Sequence, residues 1–460
     1  MLTLAQEPTV AVGLMIGVPE AGFDLHGEFT DAAGERFAPG TYLARAVAAQ
    51  VEVVDSRGSV RASAPDLTLM PRHAEDGFFT VRAVTIGVGF HWERRQDQQF
   101  SGAIRFKADS ADARGSLTVI NQVPIETYLA SVISSEMSAT SHPELLKTHA
   151  IVSRSWLLAQ LEPWRLERRQ SGMTGPAGAR AGELIRWYSQ ESHAGFDVCA
   201  DDHCQRYQGV TRATTPAVSE AIRATAGEVL TYDDGLCDAR FSKSCGGMTE
   251  EYRAAWDDLD VPYLRAEYDG PSFPPGYALP LTNEAHAERW ILGSPPAFCR
   301  TQDPGILARV LPDFDQETVD FFRWRVTLDQ EELQALLLSK LGLDCGAVVE
   351  LQPMERGPSG RIVRLAVIGE RASLVVGKEL EIRRALSPSH LYSSAFVVQP
   401  GARRAGAPES FTLVGAGWGH GVGLCQIGAA LMAEGGRSSD EILGHYYRGG
   451  QTRRLYPPRA

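Results

Sequence analysis

The chain lacks a long apolar run. No stretch of its 460 residues reaches the roughly 18 consecutive apolar positions that a membrane span needs, so no membrane span is expected. The apolar stretch 10–18 is short and reads as a strand. No Lys or Arg precedes it, so it lacks the basic start of a signal peptide. Residues 1–6 resemble the remnant of a trimmed signal, and a basic, apolar leader is expected ahead of Leu2 in the native gene. The chain also lacks a basic surplus. Lys and Arg number 45 against 57 Asp and Glu, a formal net charge of -12. An electrostatic grip on nucleic acid needs basic surface, so nucleic acid is not expected as a partner, and a neutral or weakly charged polysaccharide fits better. Cysteine is scarce. Seven in 460 residues exclude a disulfide scaffold, and an odd count leaves at least one outside any pairing within the chain. No His-Glu-x-x-His is present, no Gly-x-Ser-x-Gly elbow surrounds Ser242 and Ser244, and the Gly-rich stretch near 419 has no Gly-Lys-Ser/Thr ending. These absences count against a zinc peptidase, a serine nucleophile and a phosphate loop. No internal repeat is visible.

What is present is a folded chain, 43% hydrophobic. The first 120 residues read mainly as strands: 10–16, 41–54, 78–90 and two more within 106–120, separated by Gly, Pro and Asp turn signals. Helical pattern takes over at 125–136. A second helix starts at 141–144, where Ser141 and Glu144 have capping-box spacing and Pro143 lies in the first turn. Leu145, His149, Val152, Trp156 and Ala159 form its core stripe. Residues 214–226 read as helix and 228–232 as strand. The Pro- and Gly-dense 268–313 reads as a surface excursion. Helix is expected at 328–341, strands over 348–398, and helices at 424–433 and 438–447. The last has capping-box spacing from Ser438 to Glu441. The fold class expected is α+β, with mixed β-sheets around a helical catalytic core.

Four segments carry candidate chemistry. The first runs Val123-Pro124-Ile125-Glu126-Thr127-Tyr128 to Ser135-Glu136-Met137, followed by 142–155 with Arg154 and Ser155. The second is 196–209, with Cys199, Asp201, His203, Cys204, Arg206 and Tyr207. The third is Phe241-Ser242-Lys243-Ser244-Cys245-Gly246-Gly247-Met248-Thr249-Glu250. The fourth is Gly417-Trp418-Gly419-His420-Gly421-Val422-Gly423-Leu424-Cys425-Gln426. Apolar neighbours Met137, Val132 and Ile133 would desolvate Glu136 and raise its pKa, as suits an acid that protonates a poor leaving oxygen. The bland alternative is a solvated glutamate at a helix end. Cys199 and Cys204, with His193 and then His203, offer a tetrahedral S/N ligand set for zinc. The alternatives are a Cys199–Cys204 disulfide or free thiols. Glycines around His420 allow close backbone approach, so that a glycan could pass with Trp418 stacking and His420 and Gln426 hydrogen-bonding. The alternative is a tight packing turn. Ser242 either contacts substrate or packs. Arg154 either binds substrate or forms an internal ion pair. Cys425 reads as a small buried residue.

Taken in order, these four segments resemble the SpoIID/LytB sporulation and cell-division family over about 105–450, interrupted by insertions near 163–190 and 268–320. Residues 1–104 then form an N-terminal strand-rich region and 451–460 a C-terminal tail. Ser155 stands where the family usually has Thr, and Cys425 where it usually has Ser. The resemblance implies a SpoIID-like fold and a lytic transglycosylase of peptidoglycan. It implies cleavage of glycan strands, expected to be free of stem peptides, between MurNAc and GlcNAc to give 1,6-anhydro-MurNAc ends. Glu136 is the expected acid/base. Arg154, Tyr207, Ser242, Trp418, His420 and Gln426 are the expected substrate contacts, and His193, Cys199, His203 and Cys204 the ligands of a structural zinc. An extracytoplasmic location follows from such a substrate. The rivals are a non-catalytic glycan-binding or amidase-enhancing protein and a zinc hydrolase of amide bonds.

Overall fold

The structure is a computed structural model. It describes residues 3–73, 77–88, 93–109, 115–161, 181–187, 193, 195–211, 215–312, 315–316 and 318–458. Most of the insertion expected near 163–190 lies outside them. The fold is α+β, with helices and several separate sheets. Two compact units divide the chain. The first takes 1–154, 190–229 and 453–460, and the second 155–189 and 230–452. No helix among the described residues is long and apolar enough to cross a membrane.

The first unit is built on two sheets. Among the described residues one has seven strands and the other six. Thr9–Val18 pairs antiparallel with Leu117–Pro124, which pairs in turn with Ala103–Ala108. The second sheet centres on Glu20–Leu25 and Phe78–Ile86. Alternating inward residues join the two sheets face to face. Phe23 of one packs on Phe106 of the other at 4.9 Å, and Phe79 on Phe29 at 6.4 Å, as half-buried strands require. The expected single run 41–54 is a hairpin, Gly40–Val47 and Gln50–Asp55, turned at Ala48 with φ 52°.

Leu117–Pro124 feeds directly into helix α1, Ile125–Glu136. Pro124 makes no side-chain cap. Instead the Glu7 carboxylate accepts the Glu126 amide at 2.9 Å, placing an anion where free N–H groups and the helix dipole favour one. Helix α2 is Pro143–Gln160. Its cap is His142, whose Nδ1 accepts the Glu144 amide at 3.2 Å. Ser141 is not the cap, because Pro143 opens the helix one residue later than a Ser141 cap requires. All five expected stripe residues of α2 are buried, but so are Leu146, Ala150, Ser153, Arg154 and Leu157. The helix is therefore enclosed on every side rather than along one stripe. The C-terminal segment closes this unit. The Leu4 amide donates to the Leu455 carbonyl (2.7 Å) and the Leu455 amide to the Gly227 carbonyl (2.8 Å), while Tyr456 Oη donates to Glu126 at 2.7 Å.

The second unit has a four-stranded sheet of Glu183–Ile185, Ser373–Gly377, Ile362–Gly369 and Val348–Arg356, and a three-stranded one of Arg323–Asp329, Ser410–Ala416 and Phe396–Pro400, among the described residues. Helix Gln330–Leu341 starts at an Asp329 cap and stops at Gly342, φ 66°. Residues 268–313 are not a surface excursion. They hold helices Glu284–Gly293 and Pro304–Val310, and Leu281, Ala287 and Trp290 form a core cluster with Met248. The strands over 348–398 are interrupted by helix Glu379–Ala385. The Ser438–Glu441 capping box forms as expected.

Candidate functional site

Glu136 is the last residue of α1, and its side chain lies almost wholly inside the first unit at 7% exposure. Val132, Ile133 and Met137 around it are sealed from solvent. One carboxylate oxygen, Oε1, accepts the backbone N–H of Arg206 at 3.0 Å. Segment 204–208 is laid along α1 by further bonds. The Gln208 amide donates to Ser131 Oγ (3.1 Å) and Tyr128 Oη to Gln205 Oε1 (3.2 Å). Gln205 Nε2 donates to the Ser153 carbonyl of α2. The Tyr128 and Tyr207 rings stack at 4.9 Å. Burial drives the Tyr128 phenol well above its ordinary pKa, and Cys204, Cys199 and Glu136 add to that rise.

The same segment begins in the cysteine–histidine cluster. His193 Nε2 lies 3.1 Å from Cys204 Sγ. His203 Nδ1 lies 3.6 Å from Cys204 Sγ and 3.9 Å from Cys199 Sγ. The ligand atoms of all four residues fall within 4.8 Å of one another. Tetrahedral zinc with bonds of about 2.0–2.3 Å sets its ligands roughly 3.3–3.8 Å apart, so the donor set fits the ion in type, and the 3.1, 3.6 and 3.9 Å separations straddle that spacing. Hydrogen bonding to Cys204 lowers the Cys199 thiol pKa far below its usual value, with His193 and His203 assisting against burial. Both cysteines are unbridged and buried. Asp201 anchors the loop by accepting the Gly87 and Val88 amides at 3.2 and 2.8 Å. Burial and neighbouring Asp202 push its pKa up to about 6.

Three expected substrate contacts turn inward. Arg154 has no exposed side-chain surface. Its guanidinium grips Glu126 through Nε (3.0 Å) and Nη2 (2.5 Å) and donates to the Glu228 carbonyl. In this structure it forms the internal ion pair. Tyr207 is 1% exposed, and its hydroxyl donates to Asn121 Oδ1 at 2.6 Å. Gln426, in the second unit, is 2% exposed. Both side chains are thus enclosed in this structure.

Within the second unit the third and fourth segments lie side by side. Phe241–Ser242 pairs with Leu424–Cys425, and Ser244 exchanges backbone bonds with Trp418. Ser242 is buried, its Oγ accepting the Gly421 amide at 3.2 Å. Trp418 is half-buried and stacks on Tyr392 at 4.3 Å. The half-buried His420 meets Trp256 edge-on at 4.8 Å. Burial, with Arg240 and Arg361, holds its imidazole well below the usual histidine pKa, hence neutral near pH 7. Gly421 sits at φ 77°, and a Cβ there would lie 2.4 Å from Arg361 Cζ. That glycine gives room to Arg361, as the packing-turn alternative supposes. The sequence reading missed a second cluster here, formed by Cys245, Asp269, Cys299 and Cys425. Its members come from segments too far apart for spacing to reveal.

Comparison with known proteins adds two family matches. Residues 113–232 match the Stage II sporulation protein family, SpoIID, and residues 250–423 match a domain of unknown function, DUF8618. The chain is 25% identical over 333 residues to Stage II sporulation protein D of Bacillus subtilis, covering 72% of this chain and 75% of that protein. It is 24% identical to the Stage II sporulation protein D of Bacillus amyloliquefaciens, over 72% and 74%. It is 23% identical to the Amidase enhancer of Bacillus subtilis over 70% of this chain, but only 39% of that protein's length.

Proposed function

We propose, from the premise that this chain belongs to the SpoIID family, that its cell-wall-related role is lytic cleavage of peptidoglycan glycan strands with Glu136 as the acid/base. The observation that carries the reading is the placement of Glu136. It ends a sealed helix within the matched segment, with Oε1 held by the Arg206 amide. A carboxyl group in apolar surroundings suits general-acid work. In the proposed reaction Glu136 gives its proton to the glycosidic oxygen as the bond from MurNAc C1 breaks. It then takes the proton of the MurNAc C6 hydroxyl as O6 bonds to C1. The product end is 1,6-anhydro-MurNAc, no water is consumed, and Glu136 finishes protonated. Hydrolysis would need a second carboxylate. The carboxylates to weigh for that role are Asp197, Asp201 and Glu250, from the second and third segments. Asp197 accepts the Ala11 amide, Asp201 the Gly87 and Val88 amides, and Glu250 is enclosed with Ser359.

His193, Cys199, His203 and Cys204 are the residues that would hold a zinc ion, and bound there it would fix the loop from which the Arg206 amide reaches Glu136. The proposed site of action is outside the cytoplasmic membrane, where the glycan lies. The Amidase enhancer likeness favours a second reading, that the chain stimulates a cell-wall amidase without cutting glycan. Mass spectrometry of purified glycan strands, with and without stem peptides, separates the readings. Anhydro-MurNAc ends and a loss of roughly 10²–10⁴-fold in Glu136→Gln support the reaction, provided circular dichroism shows the variant folded. Reducing ends alone indicate a hydrolase. Unchanged cleavage by Glu136→Gln removes the acid. No cleavage but a stimulated amidase supports the second reading.

A further inference from the structure

Four segments of the second unit meet at one buried point. Cys245 follows the strand Phe241–Ser242, Asp269 and Cys299 come from the 268–313 region, and Cys425 immediately precedes helix Gln426–Glu434. Their ligand atoms all lie within 4.8 Å of one another. Cys245 is 3% exposed and the other three are fully enclosed. Cys245 Sγ is 3.6 Å from Cys299 Sγ and 3.2 Å from Asp269 Oδ2. These separations lie within or just below the ligand spacing of a small tetrahedral ion, about 3.3–3.8 Å for zinc. We propose that Cys245, Asp269, Cys299 and Cys425 hold a structural zinc ion that pins these segments together. This stands apart from the reading of Glu136 and from the His193–Cys204 cluster.

The surroundings are those of an anionic metal centre. Backbone N–H groups point at sulfur: Cys245 N–H donates to Cys425 Sγ at 3.2 Å and Gly247 N–H to Cys245 Sγ at 3.4 Å. Gly246 and Gly247, at φ 77° and 100°, supply the turn that aims these amides, a conformation residues with a Cβ resist. Asp269 is oriented by an outer layer. Tyr446 Oη donates to Oδ1 at 2.8 Å, His445 Nε2 is 3.4 Å from Oδ1, and the Cys299 amide donates to Oδ2. Such partners fix a metal-binding carboxylate. Arg323 hydrogen-bonds the carbonyls of Trp290, Ile291, Gly246 and Phe322, and its charge acts on Cys299 and Cys245. Zinc takes soft sulfur ligands.

The test starts from Cys199→Ser/Cys204→Ser, which disables the other cluster. Elemental analysis of the folded variant, purified without chelator, is expected to find about one zinc per chain. Adding Cys425→Ser or Asp269→Asn is expected to remove it. Because those additions endanger folding, the double variant is also expressed in cobalt medium. Absorption of tetrahedral cobalt–thiolate supports the site. A folded double variant with no bound metal overturns the proposal. So does mass mapping that finds Cys245 and Cys299 in a disulfide.

Discussion

Arg154 and Glu250 show what burial does to a charged side chain. The Arg154 guanidinium is sealed against Glu126, and removing one partner of a buried pair leaves the other charge uncompensated. Arg154→Met is expected to lower stability by roughly 3–5 kcal/mol, read by urea denaturation. A raised KM with unchanged stability would instead restore a substrate role. Glu250 is fully enclosed. Burial raises its pKa to about 7 from 4.5, although Ser359, the Glu251 amide and Arg361 all pull it down. The folded state therefore keeps a proton that the unfolded chain releases. That stabilisation is complete below pH 4.5 and is lost as pH rises through 7. The difference is on the order of 3 kcal/mol. Glu250→Gln is expected to flatten this pH dependence, whatever fixed cost the substitution adds. Parallel stability curves for the two proteins from pH 4.5 to 8 would contradict the shift.

Helices were the most legible elements. α1 occupies 125–136 as expected because a strand ending in Pro124 and a Glu-Met boundary both leave marks in the chain. The start of α2 was legible only to within a residue. Ser141 and Glu144 have the right spacing, but Pro143 sets the first turn and hands the cap to His142. Ser141 Oγ is buried without a hydrogen-bond partner among the described residues, so Ser141→Ala is expected to be neutral or slightly stabilising. His142→Ala is expected to cost about 1 kcal/mol. Thermal melts of both variants decide which residue caps the helix. The 268–313 region was misread because its prolines and glycines mark turns locally. Turn chemistry says nothing of the tertiary contacts that draw Leu281 and Trp290 into a core.

At the scale of the molecule, local clusters were legible and distributed ones were not. Cys199, His203 and Cys204 lie within six residues of one another, so their spacing alone suggested a ligand set. Cys245, Cys299 and Cys425 are converged by tertiary structure, and no local pattern announces them. Arg154, Tyr207 and Gln426 are enclosed where motif membership suggested open side chains, because a motif marks a place in the fold without saying which side chains face outward. Each unit has its own candidate metal cluster. Since metal binding energy is also folding energy, a strong chelator is expected to lower the unfolding temperature of the wild-type protein. It should also do so in Cys199→Ser/Cys204→Ser, through the remaining cluster. An unmoved melt in both, with metal loss verified, would deny the ions a structural role.

The C-terminal segment has a consequence for the order of assembly. The unit that holds Glu136 begins with the first strand, yet Leu455 and Tyr456 complete it, bridging Leu4, Gly227 and Glu126. A nascent copy still on the ribosome has Glu136 in hand but not the residues that fasten the base of its helix. The same holds for a copy that a protease has clipped near residue 450. Glu136 is thus made long before Leu455 and Tyr456, and the N-terminal end of its helix is fastened only once they have followed.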